Sequence, residues 1–226
     1  MIIWILFATI ILVLLLLLLL VPLNIKDPFI NNQNNQINSG KNIVLIGDSM
    51  LNNSAYVFGG QSVPDLISKD LETKPGTTVY NFAKDGSTIN DCYTQLDKIS
   101  TELNNSSTII FVSCGGNNIL NSRGATKINV NNLFDQYSEL IKSIRSRASN
   151  ARLNVLNLYF PTNTHYKSYY DTITEWNKLI EDNASILGYK VITTNKLLVA
   201  EDDFAYDIEP SYKGGKKIAA AILNTS

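Results

Sequence analysis

The chain has 226 residues, with 19 Lys and Arg against 20 Asp and Glu, one histidine and two cysteines. A net charge of −1 with no basic stripe argues against a nucleic-acid partner. A single histidine without clustered Cys/His spacing argues against a metal centre, no motif asks for a cofactor, and the length suits one domain once the ends are set aside.

Residues 2–23 form an apolar run broken only by Thr9 and Pro22. A helix needs roughly 20 apolar residues to cross a bilayer. A cleavable signal would carry a basic start and a small-residue cleavage site, yet no Lys or Arg precedes Lys26. We read residues 1–23 as an uncleaved transmembrane signal-anchor, with the trailing domain outside the cytoplasm or luminal (type II). Residues 24–41, with Asn31-Asn32-Gln33-Asn34-Asn35-Gln36, are poor in apolar side chains and read as a disordered stalk. Asn-x-Ser triplets begin at Asn52, Asn104, Asn105, Asn183 and Asn224, which suits a secretory route. In so asparagine-rich a chain they also arise by chance.

From residue 42 to the end, short β-branched runs alternate with helical patterns. Strands are expected at 43–46, 79–82, 108–113, 153–160 and 190–193. Ile109-Ile110-Phe111-Val112 is apolar without alternation, as in a parallel strand covered on both faces. Helices are expected at 63–73, 90–103, 131–149, 169–187 and 212–223. Leu133, Tyr137, Leu140, Ile141 and Ile144 recur at helical spacing and read as core. Cys92 falls early in a helix and Cys114 at a strand end; both read as small buried residues, although an oxidising compartment would permit a bridge. The alternation implies a doubly wound α/β sheet of about five parallel strands in three layers. Ligands bind such sheets beyond the carboxyl ends of the strands. Ser49, Gly86 and Asn117 each follow a successive strand, and Glu209 lies in the loop entering the last helix. All four fall on that one edge.

Four blocks carry these residues: Gly47-Asp48-Ser49-Met50, Asn81 to Thr88, Gly115-Gly116-Asn117-Asn118, and Asp207-Ile208-Glu209-Pro210-Ser211. In order and spacing they resemble the GDSL/SGNH hydrolase superfamily, from residue 42 to the C-terminus. Ala83 stands for the customary first glycine of the second block and Asn118 for a usual Asp. The resemblance implies a flavodoxin-like SGNH fold and a serine ester hydrolase. Ser49 would be the nucleophile, with its own N–H, the Gly86 N–H and the Asn117 amide holding the oxyanion. The catalytic histidine position is Glu209. The interval before it is one residue short, so Tyr206 or Asp207 takes the acid position. His165 follows the fourth strand on a different loop that opens on the same edge; it reads as an exposed loop residue, with cleft lining as the alternative. Each residue also has a local reading: Ser49 capping a helix, Gly86 serving a turn, Asn117 capping its loop.

Two functions follow. One is a membrane-anchored hydrolase of ester or acetyl groups on a glycan or lipid, with Glu209 as an altered base, oriented by Asp207. The other is a pseudoenzyme that binds a glycan, lipid or protein without turnover. An anchored surface protein with an idle cleft is the third and plainest option.

Overall fold

The structure, a computed structural model, describes residues 40–72, 76–122 and 128–226. The expected anchor (1–23) and nearly all of the expected stalk (24–41) lie outside the described residues. Among the described residues, no helix is long and apolar enough to cross a membrane.

Strand β1 (Asn42–Gly47) pairs in parallel with β2 (Thr78–Asn81) on one side and β3 (Thr108–Ser113) on the other. Beyond β3 come β4 (Arg152–Leu156) and β5 (Lys190–Ile192), also parallel. The order β2-β1-β3-β4-β5 reverses direction between β1 and β3, which is where doubly wound sheets place their ligand crevice. Ile43 to Ile46 and Ile109 to Val112 are all buried. Their unbroken apolar runs are explained by helices covering both faces of the sheet.

The helices start on local signals. Ser62 and Asp65 form a reciprocal capping box at α1 (Val63–Leu71), and Thr88 and Asp91 form another at α2 (Ile89–Leu96). Each satisfies backbone N–H groups that the first helical turn would leave unpaired. A short α3 (Gly116–Leu120) follows β3 directly. The apolar stripe of α4 (Val130–Arg147) is buried from Val130 to Ile144. Its Phe134 and Tyr137 pack edge-on against Trp176 of α5 (Tyr170–Asp182).

Three expected elements end early. The helix expected at 90–103 stops at Leu96 and resumes only as a 3-10 turn at Thr101–Leu103. The helix expected at 169–187 divides after Asp182, leaving α6 (Ala184–Leu187) closed by Gly188 at φ 71°. The strand expected to run to residue 160 ends at Leu156. There the buried Asn177 side chain accepts from the Leu158 N–H at 2.8 Å and donates to its carbonyl at 2.7 Å. A side chain has replaced the neighbouring strand. After α7 (Thr194–Leu197), a small hairpin of β6 (Phe204–Ala205) and β7 (Glu209–Pro210) leads into α8 (Tyr212–Thr225).

Candidate active site

Asp48, Ser49, Asn117 and Glu209 line one cleft at the carboxyl edge of the sheet. Ser49 sits in the turn directly after β1, and Asn117 in the first turn of α3 directly after β3. The turn into α3 needs Gly115: its φ is +107°, and a Cβ there would lie 2.4 Å from the Trp176 ring. A left-handed backbone and a close neighbour both exclude a side chain.

The loop after β2 supplies Gly86 at φ +75°, where a Cβ would meet nothing. Conformation, not space, selects glycine here. The Asn117 amide donates to the Ser87 carbonyl at 3.0 Å, so one of its two N–H groups is held and the other is available. Among the described residues, no acceptor takes the Ser49 or Gly86 N–H. Gln95, buried in α2, fastens this loop to β1. It exchanges bonds with the Gly47 N–H (2.7 Å) and carbonyl (2.9 Å) and donates to the Ser87 hydroxyl at 3.0 Å.

Glu209 reaches the cleft from β7 and lines it together with Ser49. Its Oε2 is buried without a partner. Burial raises its carboxyl above the ordinary range, the Ser49 hydroxyl opposes this, and the Asp85 carboxylate adds to the rise. Charge repulsion and desolvation both disfavour the ionised form. Asp85 is itself fixed by the Tyr56 hydroxyl at 2.7 Å.

Asp48 is the second carboxyl in the cleft, 4% exposed. It accepts from the Ser113 hydroxyl at 2.9 Å and the Met50 N–H at 3.1 Å. Burial pushes it up to about 7 against those two bonds, with help from the charge of Glu209.

Asp207 stands apart. It is exposed at the hairpin tip, lines a separate depression, and makes no hydrogen bond to Glu209. The carboxylate that acts on Glu209 is Asp85. Tyr206, the other occupant of the acid position, is 75% exposed. His165 is exposed in the 3-10 turn Thr164–Tyr169, whose Tyr166 and Tyr169 line the cleft in its place. Cys92 and Cys114 are both buried and free. They are close enough that Cys92 raises the Cys114 thiol by hydrogen bonding, ahead of burial itself.

The rest of the cleft is apolar and aromatic, including Met50, Ile119, Leu158, Tyr159, Tyr169 and Ile173. Its cavity volume is about 60 Å³, and it opens to solvent. Sequence reasoning missed Gln95, Asn53, Tyr159 and Asp85. None carries a local signal, because each acts across 29 or more residues of chain.

The GDSL-like Lipase/Acylhydrolase family matches residues 45–216, and the chain belongs to that family. No curated protein matches it. Among solved structures, the chain is similar to a lipolytic protein of the G-D-S-L family from Veillonella parvula, at 16% identity and a TM-score of 0.66. That likeness covers 82% of this chain and 97% of the other. An acetylxylan esterase from Geobacillus stearothermophilus gives 14% identity and a TM-score of 0.65 over 82% and 94% of the two chains. A further acetyl xylan esterase gives 14% and 0.63 over 81% and 98%. At these identities the likeness shows the fold, an α/β SGNH-like architecture.

Proposed function

We propose that this chain is a serine ester hydrolase in which Glu209 takes the place of histidine as general base. The observation that carries the reading is that Ser49 and the half-buried Glu209, whose carboxyl has a raised affinity for protons, line the same cleft. A serine hydroxyl is a poor nucleophile unless a neighbour accepts its proton. Glutamate in water is a weak base, near pKa 4.3, against about 6.5 for histidine. Burial and the Asp85 charge narrow that gap.

In this mechanism Glu209 takes the proton as Ser49 Oγ attacks the ester carbonyl carbon. The oxygen that becomes negative is received by the N–H groups of Ser49 and Gly86 and the free Asn117 amide hydrogen. Loss of one such donor costs on the order of a hundredfold or more. Collapse breaks the ester C–O bond, and Glu209 returns its proton to the departing alcohol oxygen. Water, deprotonated by Glu209, then cleaves the acyl-Ser49 ester. Below its raised value of about 7, Asp48 is neutral and spares the developing negative charge a second carboxylate. An apolar run before the domain, residues 2–23, supports anchoring in a membrane.

One observation favours binding without turnover: Asp207 does not stand behind Glu209 as an orienting acid. Labelling with a fluorophosphonate distinguishes the two readings. The esterase requires covalent labelling of the native chain that disappears in Ser49→Ala. Absence of labelling in a folded native chain leaves the binding-only domain.

A further inference from the structure

Beside the catalytic cleft lies a second, polar depression formed by Thr162, Asn163, Thr164, Glu201, Tyr206 and Asp207, floored by Phe204. The two share their walls. Pro161 lines the cleft and Thr162 the depression; Ile208 and Glu209 line the cleft, and Tyr206 and Asp207 the depression. Two contacts tie the partition together. Tyr159, on the cleft side, stacks on Phe204 at 5.2 Å and donates to the Ile208 carbonyl at 2.7 Å.

The chemistry of the two spaces differs. The cleft around Ser49 is dominated by apolar and aromatic side chains and suits an acyl group. The depression offers two threonine hydroxyls, two carboxylates and an asparagine amide. Asn163 Oδ1 is occupied by the His165 N–H at 2.9 Å, so this residue presents its donors. No cationic side chain is among the lining residues. An anionic alcohol such as a phosphorylated headgroup would meet only Glu201 and Asp207. A quaternary ammonium would leave the hydroxyl and amide donors unpaired. A saccharide hydroxyl both donates and accepts, and uses the whole set.

The hairpin tip supplies a second, independent observation. Tyr206 and Asp207 both have positive φ, 47° and 73°. They belong to a three-residue loop between Ala205 and Glu209; a bulky side chain in the left-handed region is strained, and such strain clusters at functional sites. Here the strain presents an acid and a tyrosine ring that is 75% exposed. Tyr56 touches that ring only obliquely, at 5.7 Å and 57°, so a ring face remains for a sugar to stack on.

We propose that this depression is a leaving-group subsite and that the alcohol of the ester is a saccharide hydroxyl. The inference rests on the esterase reading above. The reaction is the hydrolysis already described: the acyl C–O bond breaks, the sugar oxygen leaves with the proton held by Glu209, and water releases the acid.

The test compares O-acetylated xylobiose with 4-nitrophenyl acetate as substrates of the full chain. In Tyr206→Ala and in Asp207→Asn, kcat/KM on the sugar ester should fall at least about tenfold further than on the aryl ester, mainly through KM. Equal losses on both esters would overturn the subsite. Asp207→Asn guards against a disturbed hairpin, because Asn accepts the same backbone angles. A separate arm needs no turnover: xylotetraose and N,N′,N″-triacetylchitotriose are titrated into Ser49→Ala by saturation-transfer NMR. Saturable binding of either that is lost in the Ser49→Ala/Tyr206→Ala chain supports the saccharide site, even if neither ester is hydrolysed and the esterase reading falls. No binding of either sugar at about 10 mM overturns it.

Discussion

The Tyr159 hydroxyl donates to the carbonyl of Ile208 at 2.7 Å, fixing the chain one residue ahead of Glu209. On the other flank Asn53 donates to the Pro210 carbonyl at 2.9 Å while its oxygen accepts the Val63 N–H at 2.8 Å. Glu209 is thus suspended between two clamps, one from the loop after β4 and one from the loop after β1. In a serine triad an acid orients the base through its side chain. Here the backbone on both sides of Glu209 is held instead, and a glutamate without an acid behind it still has a defined position.

The first prediction concerns these clamps. Tyr159→Phe keeps the ring contact with Phe204 and removes one hydrogen bond, at a cost of about 1 kcal/mol in stability. Turnover should fall by about tenfold or more, since an active-site group loses rate steeply with small displacements, while KM changes little. Asn53 is fully buried, so Asn53→Ala should cost more stability by leaving the Val63 N–H and the Pro210 carbonyl unpaired. Urea unfolding beside steady-state kinetics separates the two effects.

A second prediction follows from the charge on Asp85. The Asp85 carboxylate helps hold the Glu209 carboxyl above its ordinary value. A base works only when deprotonated, so kcat/KM should fall as pH drops through the raised Glu209 value. Asp85→Asn removes a negative charge and makes Glu209 more acidic. The acid limb of the pH profile should move to lower pH, with a weaker base and a lower plateau. The titratable groups facing Glu209 are Asp85 from the loop after β2, Asp48 and Tyr56 from the loop after β1, and Tyr159 from the loop after β4, the last three of which its charge raises in turn. A limb that stays in place in Asp85→Asn excludes Asp85 as the source of the shift.

Asp48 gives a stability prediction of definite sign. In the folded chain its carboxyl is raised from 3.8 to about 7. Between those values the folded state holds a proton that the unfolded chain has released, so stability falls as pH rises across this window and levels off above it. Asp48→Asn keeps an acceptor for Ser113 and Met50 and removes the titration. Relative to the native chain it should gain stability from pH 4 to pH 8, at about 1.4 kcal/mol per pKa unit, for a total of a few kcal/mol. Chemical unfolding at pH 5 and pH 8 checks this, with an unchanged difference between the two pH values as the contrary result.

Gly115 tests how tightly α3 is seated. Gly115→Ala would press a Cβ to within 2.4 Å of Trp176 at a φ of +107°. Strain and overpacking together should cost about 2–4 kcal/mol. Asn117, two residues on, should shift with the turn, so fluorophosphonate labelling should slow even where the chain remains folded at low temperature.

The sheet was legible in the sequence because its strands are continuous apolar runs, and so was the placement of Ser49, Gly86 and Asn117 just after successive strands. Element ends were not. Asn177 replaces a strand at Leu158 from 19 residues away, and Asn183 divides a helical pattern whose apolar spacing continues past it. The acid was misplaced for a related reason. Position before Glu209 pointed to Tyr206 or Asp207, but a hairpin with two left-handed residues turns both outward. Asp85, more than a hundred residues earlier in the chain, comes into electrostatic range only through the fold.

The last prediction restores the family residue. Glu209→His puts an imidazole, with an unperturbed pKa near 6.5, at a position held by Tyr159 and Asn53. The Asp85 carboxylate would then favour the imidazolium and raise that value, whereas it opposes ionisation of Glu209. The acid limb of activity should therefore move upward in Glu209→His, the reverse of Asp85→Asn. In Glu209→Gln the proton acceptor is gone, and turnover should fall toward the residual rate of the oxyanion site, a loss on the order of a millionfold in serine enzymes. A rate gain in Glu209→His near neutral pH would show that Ser49, Gly86 and Asn117 already form a working cradle. Turnover in native, lost in Glu209→Gln and regained with a shifted limb in Glu209→His, assigns the base to this position. Turnover that survives Glu209→Gln would move the base elsewhere in the cleft, where Asp48 is the remaining carboxyl.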